Sequence, residues 1–494
     1  MKNLIPIILV LLTAQVHAQE FNFTFGPESE GATGWVDFYN TSLRKGYEVN
    51  SPKKIFISPI DQYLTPGPQK EIKTELFSEE GTAYLEGFVA NGDKNYMLYS
   101  KPEKKADQLA VYIQELSADM VLLGTAIRIT SFKGAKLRKA NPSSFGVYLG
   151  KEPRSTFIVM AKTQDQKQIV LIRQNDAQLD IKAISLEKGE MWSTVVQLND
   201  LKNEVFKLRD FQVAENGNIY VLGSYYYLND AEKFPFVVMY NPTTKKQRIH
   251  NFDSDGNEKI WQLGYNLQFM NDGSLMLAGL TNDVKKEALS YCVYRVDQVS
   301  LELEKFASAN IESEYNLYSR KGVFSPAHIR IHTIVPMKNG SFALSIENGF
   351  NVRGELTAST YSSATHIIAL DKTGAEQWKT TIQKEQMYAG LESLIGSAIF
   401  FKGNSLYLLY NEHPDNANMS PTVKQKERVI KKQYRFTTVQ IDEMGKAKKI
   451  TLLKTEKDKV SSFNPRTVQQ IEKNLYQLEF KIGEKYKLAT LSLD

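Results

Sequence analysis

The segment from Asp210 to Phe252 has the sequence DFQVAENGNIYVLGSYYYLNDAEKFPFVVMYNPTTKKQRIHNF. It divides into four short strands, DFQVA, NIYVLGSY, FPFVVMY and KQRIHNF, with a different turn between each pair. The first turn contains Asn216 and Gly217, two residues that accept the positive φ angles of a tight hairpin. Four antiparallel strands joined in this way form one sheet. We therefore interpret the segment as one unit of a repeat.

The second strand of this unit recurs along the chain at a loose period of about 60 residues, long enough for four strands and variable loops. The seven copies are NYMLYS (95–100), TFIVMA (156–161), NIYVLG (218–223), SLMLAG (274–279), SFALSI (341–346), SLYLLY (405–410) and NLYQLE (474–479). A third strand follows each copy, and a fourth strand follows the first six. In the second unit, the predicted third strand is KQIVLIRQ (167–174) and the predicted fourth is DIKAISL (180–186).

Repeated four-stranded sheets need neighbours that cover both faces, and a radial arrangement provides them. The sequence therefore predicts an all-β chain that forms a seven-bladed β-propeller of four-stranded antiparallel blades, with six or eight blades as the alternatives. The seventh unit lacks a fourth strand because the chain stops at Asp494. We expect an N-terminal strand, KKIFISPI (53–60), to close the last blade. The alternative is that 53–60 starts a separate element and the ring closes by packing alone.

The N-terminus is typical of a cleaved signal peptide over residues 1–18, since Lys2 precedes the apolar run LIPIILVLL and a small-residue exit at Ala18. The run is too short to span a bilayer, and no later window is apolar enough, so we expect no membrane span. No cysteine stands at the cleavage point to carry a lipid anchor. We expect a periplasmic or secreted protein with an N-terminal extension over 19–52 and a propeller over 53–494, its blades starting near residue 82.

The composition excludes several classes of protein. The formal net charge is only +5 over 494 residues of mixed sign, which implies no nucleic-acid partner. Cys292 is the single cysteine, so no intrachain disulfide can form and stability must come from the core. With 42% hydrophobic residues the chain can bury a large β-rich core.

Two short segments resemble known propeller repeats. ALDKTGAEQW (369–378) is similar to the turn between the third and fourth strands of quinoprotein-type repeats, and NDGSLMLAGLT (271–281) is similar to the first hairpin of exported bacterial propeller repeats. The resemblance implies a propeller fold. A single cysteine cannot form the adjacent cysteine pair of several quinone-binding enzymes, so we expect no pyrroloquinoline quinone and no other cofactor.

In such a fold, the loops between second and third strands and those between blades lie on one face, which usually carries binding function. These loops are long in the fifth unit (348–364) and the sixth (411–434). The polar and aromatic candidates are Tyr225, Tyr226, Tyr227, Arg353, Glu355, His413, Asp415, Asn416 and Asn418. The tyrosines offer flat faces for a sugar or peptide, or else pack between blades. Residues 411–418 offer cation or polar-ligand groups, or else form an ordinary solvated loop.

A further candidate is the sequence His328-Ile329-Arg330-Ile331-His332 at the start of the fifth inner strand. Strand alternation places His328, Arg330 and His332 on one side, where they could bind an anion. The two histidines should lie roughly 13 Å apart, too far to share one metal ion, so we predict no metal site here. The alternative is a hydrogen-bonded structural role.

The loops supply recognition chemistry without a recognisable catalytic motif. We therefore expect a binding module for a protein, peptide or glycan. One alternative is a hydrolase or lyase acting on polysaccharide with carboxylates from several blades, two of them about 5 to 10 Å apart. The other is a scaffold component of an envelope assembly.

Overall fold

A computed structural model describes the chain from Asn22 to Leu493 with gaps. The described residues are 22–25, 29–30, 38–40, 45–49, 56–60, 70–71, 83–117, 121–134, 148–149, 152–153, 158–162, 168–175, 178–198, 205–226, 234–252, 260–283, 288–311, 329–353, 358–389, 396–423, 425, 428–429, 435–450, 462–465, 468–472, 475–482 and 485–493. The predicted signal peptide, residues 1–18, lies outside this set.

The described residues form short strands and three-residue 3-10 turns. The first strands are β1 (Asn22–Phe25), β2 (Ser29–Glu30), β3 (Phe38–Asn40), β4 (Lys45–Val49), β5 (Phe56–Ile60), β6 (Lys70–Glu71), β7 (Tyr84–Asn91), β8 (Lys94–Glu103), β9 (Gln108–Leu116), β10 (Leu122–Lys133), β11 (Tyr148–Leu149), β12 (Glu152–Pro153), β13 (Val159–Lys162), β14 (Gln168–Asn175), β15 (Gln178–Ser185), β16 (Gly189–Gln197), β17 (Val205–Val213), β18 (Ile219–Tyr226), β19 (Phe234–Asn241) and β20 (Lys246–Asn251).

The remaining strands are β21 (Ile260–Phe269), β22 (Leu275–Asp283), β23 (Ala288–Val296), β24 (Leu303–Ile311), β25 (Ile329–Pro336), β26 (Phe342–Arg353), β27 (Ala358–Leu370), β28 (Glu376–Ala389), β29 (Ser397–Lys402), β30 (Ser405–Glu412), β31 (Arg428–Val429), β32 (Arg435–Ile441), β33 (Ala447–Ile450), β34 (Ser462–Phe463), β35 (Gln469–Glu472), β36 (Leu475–Ile482) and β37 (Lys485–Ser492). The 3-10 turns are Lys104–Ala106, Lys338–Gly340 and Pro414–Asn416.

Seven sheets built on antiparallel strands follow one another from Tyr84 to Ser492, and we number them blades 1 to 7. They are β7–β10, β13–β16, β17–β20, β21–β24, β25–β28, the set β29, β30, β32 and β33, and the set around β36 and β37. No sheet of the described chain closes on itself through hydrogen bonds. The arrangement confirms the all-β prediction and is consistent with a seven-bladed β-propeller over this range.

The first strands of consecutive blades lie side by side in chain order, from β7 and β13 through to β25 and β29. The hydrophobic core lies between neighbouring blades, and each cluster contains apolar side chains from two of them. In the cluster between blades 5 and 6, for example, Val335 and Ile367 pack with Leu408 and Val439. Burial of both sheet faces is the condition that predicted a radial arrangement, and the apolar strands satisfy it.

Blade 2 corrects our strand assignment by one position. Residues 156–161 were expected to be the second strand, but β13 (Val159–Lys162) is the first strand, and KQIVLIRQ and DIKAISL fall in the second and third. The fourth strand is Gly189–Gln197, which pairs with β15. Its burial alternates between exposed and half-buried residues, so it carries little of the apolar signal on which the assignment relied.

The N-terminal strand beside the last blade is not the one that we predicted. Residues 56–60 form β5, which pairs with β4 and β6 in a separate four-stranded sheet, β3–β6. The strand that pairs with β37 is β1, with Phe23 opposite Leu491, and β2 pairs with the other end of β37. The prediction was wrong because it assumed that residues 53–60 have no partner of their own, whereas β4 and β6 occupy both edges of β5.

In blades 5 and 6, the turn between the third and fourth strands packs against the preceding blade. ALDKTGAEQW does form the turn between the third and fourth strands of blade 5, where the Asp371 carboxylate accepts hydrogen bonds from three groups of the turn. Gly374, at φ +86°, packs so closely that a Cβ there would lie 2.7 Å from the carbonyl oxygen of Phe306 in blade 4. In blade 6, a Cβ on Gly445 would lie 2.9 Å from the ring of Trp378 in blade 5.

Candidate functional site

The candidate site lies at the face where the first strands of the blades begin. Because strands alternate in direction within a blade, the ends of second strands and the beginnings of third strands meet at this same face. The insertions of blades 5 and 6 also lie here, so we call it the insertion face. The hairpins Asn216–Gly217, Asp272–Gly273 and Asp371–Gly374 lie at the opposite ends of the strands.

The centre of the site is the carboxylate of Glu347, a buried residue of β26. Its Oε1 lies 2.6 Å from Nζ of Lys384 in β28 and accepts a hydrogen bond of 2.8 Å from Oγ of Ser397, the first residue of blade 6. Its Oε2 lies 3.7 Å from Nη2 of Arg330 and 3.9 Å from Nδ1 of His332, both in β25. We call these five residues the Glu347 cluster.

The cluster is layered from interior to surface. The side chain of Lys384 is 0% exposed and that of Glu347 is 5% exposed, whereas the values for His332 and Arg330 are 30% and 61%. Thr365 extends the buried layer, since its Oγ1 lies 3.2 Å from Oγ of Ser397. A buried ion pair is therefore topped by a guanidinium group that reaches solvent.

Backbone irregularities bring these side chains together. The pairing of β25 with β26 shifts register between Ile331 and Thr333, which makes His332 an extra residue of the inner strand. On β28, the two residues Lys384 and Glu385 lie opposite the single residue 363 of β27, and Glu385 has φ +43°, in the left-handed region. A β-bulge turns a side chain out of the regular alternation and is common beside functional sites. Without these bulges, Lys384 and His332 would not both point at Glu347.

The electrostatics of the cluster follow from its burial. Burial alone would raise the pKa of the Glu347 carboxyl, but the charge of Lys384, together with His332, Arg330 and the Lys384 hydrogen bond, holds that pKa well below its ordinary value. Burial lowers the pKa of the His332 imidazole in spite of the opposing effect of Glu347. At neutral pH we therefore treat Glu347 as ionised and His332 as neutral.

The insertion of blade 6 forms a second polar group at the same face. His413 caps the 3-10 turn Pro414–Asn416 by accepting the backbone N–H of Asp415 at 3.2 Å. Below the turn, Nζ of Lys449 donates to the backbone oxygen of Asn416 at 2.7 Å and to the buried carboxylate of Glu412 at 2.5 Å. The turn is thus held by its own blade.

The same insertion also attaches blade 6 to blade 5. The backbone N–H of Gln383 donates to the carbonyl of Pro421 at 2.8 Å. The buried amide of Gln386 donates to the backbone oxygen of Asn411 at 2.7 Å. Farther along, β31 pairs in parallel with β28, Arg428 opposite Gln386. The insertion therefore lies along the outer strand of blade 5, beside Lys384.

The structure places the predicted site residues in three groups. Arg330 and His332 both contact Glu347, but His332 does so as the extra residue of a bulge and not through the regular alternation on which the prediction relied. The insertion residues Asp415 and Asn418 are exposed, His413 is half-buried and Asn416 is buried. Tyr225 and Tyr226 end β18, and Arg353 ends β26, but their side chains lie outside the description. The positions of Tyr227, His328 and Glu355 lie outside the described residues.

Three residues of the cluster were missed by reasoning from the sequence. Glu347 continues the buried face of Ala343 and Ser345, and Lys384 follows Ile382 on the face of β28 that is turned toward blade 6. A charged residue that continues an apolar alternation was the available signal for both. Ser397 carries no such signal, because its role depends on the neighbouring blade.

The part of the chain that the structure describes contains no group of three or more His, Cys, Asp or Glu side chains suited to hold a metal ion. The same residues include no helix with the length and apolar character needed to span a bilayer. Cys292 is buried and free, with its Sγ 3.9 Å from Oγ1 of Thr281.

No protein-family model matches the sequence, and no curated protein sequence matches it. Among solved structures, the chain is similar to the Nup133 β-propeller domain of Vanderwaltozyma polyspora, with 12% identity, a TM-score of 0.38, and coverage of 82% of this chain and 99% of that one. It is also similar to the Dos1 propeller, with 9% identity, a TM-score of 0.42 and 95% coverage of both chains.

A third similar structure is the β-propeller domain of the Trilobed protease from Pyrococcus furiosus, with 9% identity, a TM-score of 0.33, and coverage of 83% of this chain and 93% of that one. Values this low carry no function from one protein to another. The fold is therefore described from the strand pairing of this chain, which is consistent with a β-propeller.

Proposed function

We propose that the protein is an exported β-propeller that binds a protein, peptide or glycan through its insertion face. The observation that carries the proposal is the Glu347 cluster, in which two bulged strands and the start of blade 6 hold polar groups beneath the exposed Arg330. Concentrated irregularity of this kind on an otherwise regular scaffold is typical of binding surfaces.

Export is supported by the sequence of residues 1–18, which combines Lys2, an apolar run and a small-residue exit. Mass spectrometry of the protein recovered from the medium or periplasm tests this part of the proposal. A chain that begins near Gln19 supports export, and a protein found only in the cytoplasm with its first residues intact contradicts it.

The proposal includes a closed ring. The pairing of β1 with β37 supplies the outer strand that the last blade lacks, and β3 lies against β7, the first strand of blade 1. The sheet β3–β6 would then stand between the last and first blades as an additional blade. This corresponds to the eight-bladed alternative.

The binding proposal is tested by comparing the wild type with two variants of the mature chain, one with three substitutions and one with two. The first, Arg330→Gln/Asp415→Ala/Asn418→Ala, removes exposed groups of the insertion face. The second, Lys372→Ala/Glu443→Ala, removes exposed groups of the opposite turns and serves as the matched control. Each immobilised protein is exposed to an extract of the source cells and to a polysaccharide panel. A ligand that is retained by the wild type and the control but lost by the first variant supports the proposal, whereas equal retention by all three contradicts it.

One observation favours the enzyme alternative enough to test it. Asp210 lies on the inner strand of blade 3 beside a register shift, and burial raises the pKa of its carboxyl above the ordinary value although Phe211 N–H and the Gln212 amide hydrogen-bond to it. A carboxyl whose pKa is raised is better suited to general-acid catalysis than an ordinary one. Turnover of a polysaccharide that is lost in Asp210→Asn would favour this alternative.

A further inference from the structure

Arg330 has donor capacity that the cluster does not use. Its Nη2 lies 3.7 Å from Oε2 of Glu347, which is beyond hydrogen-bond distance, and 61% of its side chain is exposed. The other carboxylate oxygen is already bound by Lys384 at 2.6 Å and Ser397 at 2.8 Å. Glu347 is therefore satisfied from the buried side, and its link to Arg330 is a charge contact without a hydrogen bond.

The charges of the cluster do not balance. Lys384 and Arg330 supply two positive charges against the single negative charge of Glu347, with His332 neutral. The surplus positive charge lies on the outer member, Arg330, next to the half-buried imidazole of His332. Because Lys384 and Glu347 are excluded from water, they neutralise one another and leave Arg330 to interact with a group from solution.

The surroundings of Arg330 suit an extended ligand. β25 pairs with β26 as far as Ile329 and Asn348, while β26 continues to Arg353 and β27 runs beside it from Ala358. β26 and β27 therefore extend past the end of β25, next to Arg330. The insertion of blade 6 lies on the other side of β28. The aromatic residues described on the neighbouring strands of blade 6, Tyr410 and Phe436, are buried, so they offer no ring for a sugar to stack on.

We infer that Arg330, supported by His332, binds a carboxylate of an acidic peptide at the insertion face. The planar guanidinium group matches a carboxylate in a two-bond arrangement that lysine cannot reproduce. This inference rests on the proposed binding function and specifies the chemistry of the ligand.

The test is calorimetric titration of the mature chain with a tetra-aspartate peptide at low salt, with tetragalacturonate and tetralysine as comparison ligands. We expect the acidic peptide to bind, and Arg330→Gln to weaken its affinity roughly 10- to 100-fold, as loss of a charge-assisted contact does. Arg330→Lys should retain part of the affinity. The matched control is Arg248→Gln. It removes an exposed arginine that lies on the outer strand of blade 3 and pairs with Glu302.

Added salt should weaken the binding of the acidic peptide to the wild-type protein, because dissolved ions screen the attraction between exposed charges. The inference is overturned if the acidic peptide does not bind, if Arg330→Gln binds as tightly as the wild type, or if tetragalacturonate binds and the peptide does not. Thermal unfolding verifies that Arg330→Gln is folded; if it is not, the lysine variant carries the comparison, and an unchanged affinity there overturns the inference. If the acidic peptide fails this test but a cellular ligand is still lost in the insertion-face variant, the proposed binding function stands and only the inference about Arg330 fails.

Discussion

The ammonium group of Lys384 lies 2.6 Å from the carboxylate of Glu347, and neither side chain is more than 5% exposed. Taking two charges out of water costs several kcal/mol per ion, which a close pair with further hydrogen bonds offsets. Ser397 supplies such bonds, since its hydroxyl donates to Glu347 at 2.8 Å and accepts from Lys384 at 3.4 Å. Thr365 lies 3.2 Å from the same hydroxyl. The pair also joins the outer strand of blade 5 to the first residue of blade 6, so its loss should weaken the contact between these two blades.

Replacing Glu347 with Gln should therefore destabilise the protein by about 3–5 kcal/mol, because Lys384 would stay buried without a counter-charge. Lys384→Met should have a similar effect, and the double variant should recover part of the loss. Urea unfolding followed by tryptophan fluorescence measures all three. The control is Lys94→Gln, which breaks an exposed pair with Glu115 and should change stability little. A Glu347→Gln protein as stable as the wild type would contradict this role of the pair.

The stability should fall on acidification through His366. This buried imidazole lies 3.0 Å from Oγ1 of Thr381, and burial lowers its pKa from 6.5 to about 3. The unfolded chain takes up a proton near pH 6.5 while the folded state does not. The contribution is thus complete above pH 6.5 and lost at about 1.4 kcal/mol per pH unit as the pH falls toward 3.

Unfolding free energies measured at intervals from pH 8 to 4 test this expectation. In His366→Gln the part of the slope that is due to this residue should disappear, leaving the contribution of His332, whose pKa is also lowered by burial. Parallel curves for the variant and the wild type would show that His366 does not titrate in this way.

The two turns that pack against a neighbouring blade, at Gly374 and Gly445, should not tolerate an added methyl group. Gly273 is the reference position. Gly273, at φ +79°, has nothing within 4 Å of an added Cβ, so Gly273→Ala should cost about 1–2 kcal/mol from backbone strain alone. Gly374→Ala adds a contact of 2.7 Å with the Phe306 carbonyl oxygen, and Gly445→Ala adds one of 2.9 Å with Trp378. Both should therefore lose more stability than Gly273→Ala in denaturant titrations. Equal losses at the three positions would mean that the blades are not tightly docked there.

The N-terminal strand should be cross-linkable to the C-terminal one. Thr24 and Thr490 are direct partners in the antiparallel pair, at a spacing that suits a disulfide. In a Cys292→Ser background, Thr24→Cys/Thr490→Cys should therefore oxidise to a bridge and raise the unfolding midpoint. The control is Ile57→Cys/Thr490→Cys, since residue 57 pairs with Val49 and Lys70 instead. A bridge in the control but not in the first protein would restore the closure by residues 53–60 that the sequence suggested.

The sequence predicted the repeat because each second strand is an apolar run bounded by turns. Asn216–Gly217 and Asp371–Gly374 are turns in the structure because their carboxylate, amide and glycine chemistry acts locally. Blade 2 was displaced by one strand since its outer strand is half-exposed and carries no comparable pattern. Pairing between distant segments, such as β1 with β37, depends on geometry that no local pattern encodes.

The candidate site was predictable only in part, for a similar reason. Arg330 and His332 were recognised as candidates on one strand, and in the structure they lie 3.7 and 3.9 Å from the carboxylate of Glu347, with His332 at a register shift. Their shared partner comes from another strand, and Lys384 reaches it through a bulge that alternation cannot anticipate. The site thus depends on β-bulges, which depart from the regular strand pattern that allowed the fold to be predicted.

The pairing of β1 with β37 places residue 22 beside residue 492, so nearly the entire polypeptide separates the two partners. Contacts between such distant segments form late, because closing so large a loop costs conformational entropy that local hairpins do not pay. The individual blades can therefore form first from their own hairpins, and the pairing of β1 with β37 should follow as one of the last steps of folding.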